Sequence, residues 1–452
     1  MKRNKDKTLV PDNQASKALT STSSTATVHS THDSYGALRF RDFRLLISGN
    51  FLTMFGQQMI TIAIGWELYN RTGSALVLGG VGLAQVIPII LLSLPAGDIV
   101  DRFDRKLIVV LSQLTLLIAS LGLAALSYFT GPLLLIYVCL ILMGCAQTFN
   151  LPAGQVLISQ VVHEEAYENA TTWRSSISQL ASVIGPACGG FLIGIFNGAT
   201  IVYVVSAGAY TICAILLILI RVRRKTGRRL EKKTLDSLGE GLRFLGHTQV
   251  MLAAITLDLF AVLLGGATTL LPIFAKSILH VGPIGLGWLQ AADSIGAVCM
   301  ALFLASRAPF TKAGPTLLLA VIGFGVATII FGLSHWFWLS LLALFMLGAC
   351  DNISVVIRST LVLVRTPDEM RGRVSSVSSL FIGTSNQLGG FESGLAAQLF
   401  GPVLAVAGGG FGTIVVVLLV AIIWPEMRRL RTLREPINTE MKPEEQLLEQ
   451  LP

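Results

Sequence analysis

The chain has 452 residues, 53% of them hydrophobic and 13% charged, with a net charge of +8 and a mean hydropathy of +0.69. A soluble domain carries about 25% charged residues, so a chain with half that complement cannot coat a water-facing surface of its size. This excludes a cytosolic globular enzyme, a disordered tail protein and a secreted disulfide scaffold, and leaves an all-α membrane protein. A membrane β-barrel is disfavoured because its strands of about 10 residues alternate apolar and polar positions, whereas the apolar runs here are long and continuous.

Residues 1–36 are polar and rich in Ser and Thr, without an apolar run. They read as a flexible cytoplasmic tail, neither a signal peptide nor a span. The segment Leu38-Arg39-Phe40-Arg41-Asp42-Phe43-Arg44 is amphipathic and suits the membrane interface. A span needs about 20 apolar residues. On that measure the chain contains twelve, over residues 44–68, 74–98, 105–128, 131–157, 167–195, 198–221, 249–276, 283–306, 312–333, 336–361, 374–398 and 402–424. Spans five and eleven read as the least apolar, as helices facing a partner or a cavity would. The N-terminal six-helix half runs over 37–221 and the C-terminal half over 249–424. A charged cytoplasmic linker (222–248) joins them, and a C-tail (425–452) follows.

Basic residues set the orientation. The N-tail, the 2–3 turn (Arg102, Arg105, Lys106), the linker, the 8–9 and 10–11 connections and the C-tail hold nearly all of them, on one side of a twelve-span arrangement. The other side has Arg71 and Lys276. Both termini are therefore expected in the cytoplasm, in a multi-pass protein of the inner membrane. An offset of 205 sets Cys145 on Cys350, Gly185 on Gly390, Gly189 on Gly394 and Glu164 on Glu369. That points to parallel six-helix repeats with a substrate site between them.

The sharpest local motif lies between spans two and three. It reads Gly97-Asp98-Ile99-Val100-Asp101-Arg102-Phe103-Asp104-Arg105-Lys106. Gly97, Asp101, Arg102, Arg105 and Lys106 resemble the cytoplasmic signature of the major facilitator superfamily, in which the matching Asp and Arg act as a gating latch between spans two and eleven. Asp104 replaces the usual second Gly, and Asp is tolerated in turns. In span five, Gly185-Pro186-Ala187-Cys188-Gly189-Gly190 resembles the signature of that superfamily's exporters, on Gly185, Pro186, Gly189 and Gly190. Pro removes a backbone donor, and glycines permit bending or close packing. Two later stretches, Thr366 to Arg373 and Pro425 to Leu430, are similar to the enterobactin-exporter and macrolide-efflux branch. Many of the related drug–proton antiporters carry an Arg in span four. Here Leu133 to Leu157 holds no Arg or Lys, so that relay does not transfer.

An ionisable group at membrane depth is costly and points to function. Asp258, Asp293, Asp351, Arg358 and Glu392 are candidates for proton coupling or a cavity lining, with Gln57 and Asn386 as neutral members. Asp351 and Arg358 are seven residues apart and share a helix face, from which each can pair with other helices. Glu67 reads as an outer-interface residue. Asn50, Gln58, Gln85, Asn150 and Gln179 suit interhelical hydrogen bonds or a cavity lining. The six cysteines form no C-x-x-C pair and read as small buried hydrophobes, and the histidines fall in tails, loops or span ends, so no metal site is expected.

The resemblance implies a monomeric secondary transporter that exports small amphipathic molecules by alternating access, with protons as coupling ion. It calls for no cofactor and no nucleic-acid partner. An uptake permease or lipid flippase of the same fold is the alternative. A membrane enzyme or receptor lacks a catalytic constellation or soluble domain, and an ATP-driven pump lacks its phosphate loop.

Overall fold

The computed structural model describes residues 35–162, 166–221, 239–240, 243–246, 248–307, 312–367 and 370–430. They form α1 (Arg41–Thr72), α2 (Ala75–Arg102), α3 (Arg105–Tyr128), α4 (Leu133–Val161), α5 (Tyr167–Phe196), α6 (Thr200–Leu219), α7 (Gln249–Ile278), α8 (Gly282–Ala305), α9 (Ala313–Leu333), α10 (Phe337–Arg365), α11 (Arg371–Phe400) and α12 (Pro402–Ile423). A short α13 (Pro425–Arg429) follows, and no strand occurs among the described residues. In hydrocarbon each backbone polar group needs a partner within the protein, and helices supply it along their own length.

Ten of these helices are long and apolar enough to cross a membrane; among the described residues α1 and α11 fall short. The expectation for spans five and eleven thus holds for α11 and is corrected for α5. In α5 the polar residues gather in the first half, Thr171 to Gln179, and leave an apolar second half. In α1 they are spread along the helix, from Asn50 through Gln57 and Gln58 to Glu67.

Local chemistry sets the helix ends. Gly73 stops α1 in the left-handed region at φ +64°, which suits a residue without Cβ. Asp104 begins α3, and its carboxylate accepts the Lys106 N–H at 3.0 Å. Its backbone is extended, so this Asp is a helix cap and not a turn residue. The seventh span, expected as one helix, is interrupted. Its regular part ends at Leu264, Gly265 and Gly266 follow, and the chain continues through a 3-10 turn (Ala267–Leu270) and a π turn (Phe274–Ile278). A Cβ on Gly265 would fall 2.5 Å from Phe324 Cε1, and one on Gly266 2.8 Å from the Gly389 carbonyl.

The helices pair in the same pattern in each half. In the first, α1 packs on α5 and α6, α3 on α4 and α6, and α2 on α4. In the second, α7 packs on α11 and α12, α9 on α10 and α12, and α8 on α10. The halves meet chiefly through α2 with α11 and α5 with α8. Call the end that carries the start of α1, the 2–3 turn and the end of α12 the terminal end, and the opposite end the far end.

Glycines bring these seams to backbone contact toward the far end. A Cβ on Gly79 of α2 would lie 3.0 Å from the Phe391 carbonyl and 3.1 Å from Gly394 Cα of α11. One on Gly287 of α8 would lie 2.7 Å from the Pro186 carbonyl of α5. Nearer the terminal end of α11, a Cβ on Gly372 or Gly383 would meet no atom of the described residues within 4 Å. Hydrogen bonds reinforce the far-end seam. Ser74 donates to Gln398 at 3.1 Å, Lys276 to Asn70 at 2.5 Å and Gln387 to Gln85 at 3.1 Å, and Tyr69 meets Ser277 at 2.8 Å.

Gly79→Leu is therefore expected to cost about 1–3 kcal/mol by overpacking, while Gly383→Leu stays within about 0.5 kcal/mol. Thermal melts of the two purified variants check this, and equal melting temperatures would contradict the seam.

Candidate functional site

The charged candidates gather in the second half. Asp258 of α7 and Arg358 of α10 are both buried, at 7% and 8% exposure, and form a salt bridge. Burial strips the water from both charges, so each depends on the other. Asp351 stands two turns before Arg358 on the same helix. It shares a cavity of about 10 Å³ with Asp258, lined also by Val321, Phe324, Cys350 and Ser354. That volume holds about one water molecule.

Asp293 of α8 reaches the same helix at Gly348. A Cβ on Gly348 would lie 2.7 Å from Asp293 Oδ1, so the missing side chain makes room for the carboxyl. Asp351 is three residues beyond Gly348, on the face that receives Asp293. Neither has a basic partner among the described residues. The structure thus brings Asp258, Asp293, Asp351 and Arg358 together across α7, α8 and α10.

The remaining candidates lie elsewhere. Glu392 is half-buried toward the far end of α11, with Ser393 Oγ 3.5 Å from its carboxylate. Asn386 is exposed and donates to the Ile382 carbonyl of its own helix at 3.0 Å. Gln57 is half-buried on α1. Glu67 corrects the expectation of an interface residue, because it is buried at 7% exposure. It accepts the Tyr203 hydroxyl at 2.7 Å and pairs with Arg71 at 2.5 Å, and Arg71 donates to the Gly131 and Leu126 carbonyls at 3.1 Å each. A carboxylate this well supplied with donors can stay in the protein interior.

The first half carries a neutral network that the sequence reading missed. Thr53 Oγ1 lies 3.1 Å from Gln113 Oε1 and 3.2 Å from Cys213 Sγ, and Gln113 donates to Asn150 at 3.4 Å. The available signal was a lone Gln within the apolar run of α3. Among the cysteines Cys213 is buried as expected, but Cys299 is exposed.

The two motifs take up distinct positions. In α5, Gly185 and Gly189 face α1, with a Cβ on Gly185 falling 2.6 Å from Gln58 Cβ and one on Gly189 3.3 Å from Met59 Cα. Gly190 faces α8, where its Cβ would lie 2.9 Å from Gly287 Cα. The motif thus lets one helix touch both a neighbour in its own half and the opposite half. In the 2–3 turn, Lys106 donates to the Ile218 and Ile220 carbonyls at the end of α6, 2.8 Å each, which matches a cation to a helix C-terminus. Arg105 donates to the Asp101 carbonyl at 3.4 Å, Gly97 is half-buried, and Asp101 and Arg102 are exposed. Glu164 and Glu369 of the internal repeat, and the greater part of the linker and both tails, lie outside the described residues.

Among the described residues, twelve long helices paired alike in two sets, with a buried ion pair in the second, have the arrangement of a membrane transporter of the major facilitator type. Over residues 32–450 the sequence matches the profile of the transmembrane secretion effector family, and the chain belongs to that family. It is 26% identical over 401 residues to the multidrug efflux pump Tap of Mycolicibacterium fortuitum, covering 84% of this chain and 95% of that protein. It is 24% identical over 394 residues to the enterobactin exporter EntS of Shigella boydii, covering 86% and 93%. Among solved structures, a POT family transporter in complex with 5-aminolevulinic acid has a TM-score of 0.69 at 12% identity, covering 86% of this chain and 97% of that one. A bacterial homologue of the human lysosomal transporter Spinster, inward-facing and occupied, has a TM-score of 0.64 at 14% identity, covering 86% and 96%. These structures share the fold.

Breaking one side of the buried ion pair leaves a charge without a partner, so Asp258→Ala or Arg358→Ala alone is expected to cost about 3–5 kcal/mol. Asp258→Leu combined with Arg358→Leu should cost less than the sum of its single variants, because no orphaned charge remains. A double-mutant cycle from thermal or denaturant unfolding measures this, and simple additivity would contradict the pairing.

Proposed function

We propose that the chain is a secondary transporter of the cytoplasmic membrane that exports small amphipathic organic molecules, siderophore- or drug-like, by alternating access coupled to inward proton flow. Both termini and the linker face the cytoplasm, as the distribution of Lys and Arg supports. The far end then faces outward. Export rests on the match to two named exporters over 84–86% of the chain and on the exporter-type motif of α5.

The observation that carries alternating access is the lopsided contact between the halves. Backbone contact and hydrogen bonds join them at the far end, while a Cβ on Gly372 or Gly383, nearer the terminal end, would meet no atom of the described residues within 4 Å. A rocking motion would exchange one closed end for the other, around a site at the middle. In that motion the 2–3 motif serves as the latch of the terminal end, with Asp101 and Arg102 exposed and ready to find partners on α11.

Proton coupling is assigned to Asp293 and Asp351. Arg358 is already engaged by Asp258, so two carboxyls at membrane depth remain to be neutralised. Protons do this reversibly, and a cargo that needs the same carboxyls competes with them. Glu392 and Asn386 of α11 and Gln57 of α1 supply polar lining elsewhere on the path.

Cells expressing the protein are expected to keep a lower level of an amphipathic fluorescent substrate, and collapse of the proton gradient should abolish that difference. Asp351→Asn should reduce gradient-driven efflux by about tenfold, a loss of about 1.4 kcal/mol of coupling. Efflux that survives gradient collapse would overturn the proton step, and uptake in place of efflux would overturn the direction.

A further inference from the structure

A second and larger cavity lies on the outside of the C-terminal half. It is a furrow of about 560 Å³ between α9 and α10, a volume suited to a small-molecule ligand. Its lining runs along α9 from Thr316 to Ile330 and along α10 from Leu339 to Ile353. Both sets of lining residues follow helical spacing, so each helix gives one continuous face. The lining is apolar apart from Thr316, and Leu319 and Leu342 are 69% and 55% exposed. On a membrane-spanning pair of helices such a face meets hydrocarbon and not water.

The furrow ends against the polar cavity. Cys350 lines both. On α9, Ile322 and Gly323 line the furrow, while Val321 and Phe324 line the polar side. The partition is thin at one point, because a Cβ on Gly323 would fall 2.9 Å from Cys350 Sγ. The next residue on α10 is Asp351, which has no basic partner among the described residues. Asp258 behind it is taken by Arg358. One cation thus faces three carboxyls (Asp258, Asp293 and Asp351), and a ligand arriving along an apolar furrow would complete the balance by bringing positive charge.

We propose that the furrow is a lateral access site for the hydrocarbon tail of a cationic amphiphile, whose head reaches Asp351 past Gly323 and Cys350. The tail replaces lipid along α9 and α10. The head exchanges its hydration at the interface for the Asp351 carboxylate. This rests on the export reading and gives it a substrate class and a route, from the bilayer and not from the cytoplasm. Gly323 keeps the passage open because any side chain there would press on the thiol.

The test uses the full-length protein in phosphatidylcholine nanodiscs. The rate of N-ethylmaleimide addition at Cys350 is read by peptide mass spectrometry. Three probes separate tail from charge: dodecyltrimethylammonium, dodecanol and tetramethylammonium. The cationic amphiphile is expected to slow alkylation by about tenfold, equivalent to about 1.4 kcal/mol, with much smaller effects from the other two. Asp351→Asn should bring the cationic amphiphile down to the level of dodecanol, and Gly323→Leu should remove protection by both. Equal protection by dodecanol and the cation in the unmodified protein would overturn the charged site and leave a hydrocarbon seat. Absence of protection by any probe would overturn the furrow as an access site. Protection without cellular efflux would overturn the export reading alone, and efflux without protection would overturn this route alone.

Discussion

In a bilayer, burying apolar surface between helices does little to bring them together, because lipid tails are as apolar as leucine. Contact depends on how closely two backbones can approach, and this fold depends on positions without side chains. A Cβ on Gly325 of α9 would lie 2.8 Å from the Gly410 carbonyl of α12, and one on Gly410 2.6 Å from that of Gly325. The same geometry recurs between α2 and α11 and between α5 and α8. The first case holds one half together, and the others join the two halves. A seam of glycine and backbone is dense when closed. Where backbone meets backbone, no side chain has to be withdrawn to open it.

The halves share their helix pairing but not their electrostatics. The offset of 205 that aligns Cys145 with Cys350 sets Thr53 opposite Asp258, since 258 minus 205 is 53. Thr53 centres a network of hydroxyl, amide and thiol, whereas Asp258 holds the guanidinium of Arg358. At the level of Thr53 the first half is satisfied by neutral hydrogen bonds, which cost little to bury, and its buried Glu67 pairs with Arg71 near the far end. The second half carries Asp258, Asp293, Asp351 and Arg358, three carboxyls to one guanidinium. That division suits one half to respond to charge and the other to act as a rigid counterpart. The break in α7 at Gly265 and Gly266 lies in the charged half, where it packs against Gly389 of α11. Irregular backbone at membrane depth is tolerated only where protein or a cavity surrounds it.

What the sequence made legible follows from the range of each interaction. The all-α class and the order of the long helices rest on runs of about 20 residues and were readable, although only ten of the helices are apolar enough to count as spans. The face shared by Asp351 and Arg358 rests on a seven-residue spacing and was readable too. That Arg358 pairs with Asp258 was not, because the two are 100 residues apart in the chain, 358 minus 258. Asp104 was expected to preserve a turn, yet it caps α3. Both roles suit the same residue type, and only the extended backbone and the bond to Lys106 distinguish them. Glu67 was misplaced for a related reason. Its position near a helix end suggested the interface, but Tyr203 and Arg71 come from separate turns of structure to enclose it.

The central claim is that the far-end seam opens as the terminal end closes. Pulsed electron spin resonance on two label pairs tests it most directly. One pair is at positions 74 and 398 on the far end, and the other at 102 and 372 on the terminal end. The account predicts that a lowered pH with substrate lengthens the first distance and shortens the second in the same sample. Invariant distances at both pairs, in protein that still transports in vesicles, would contradict it.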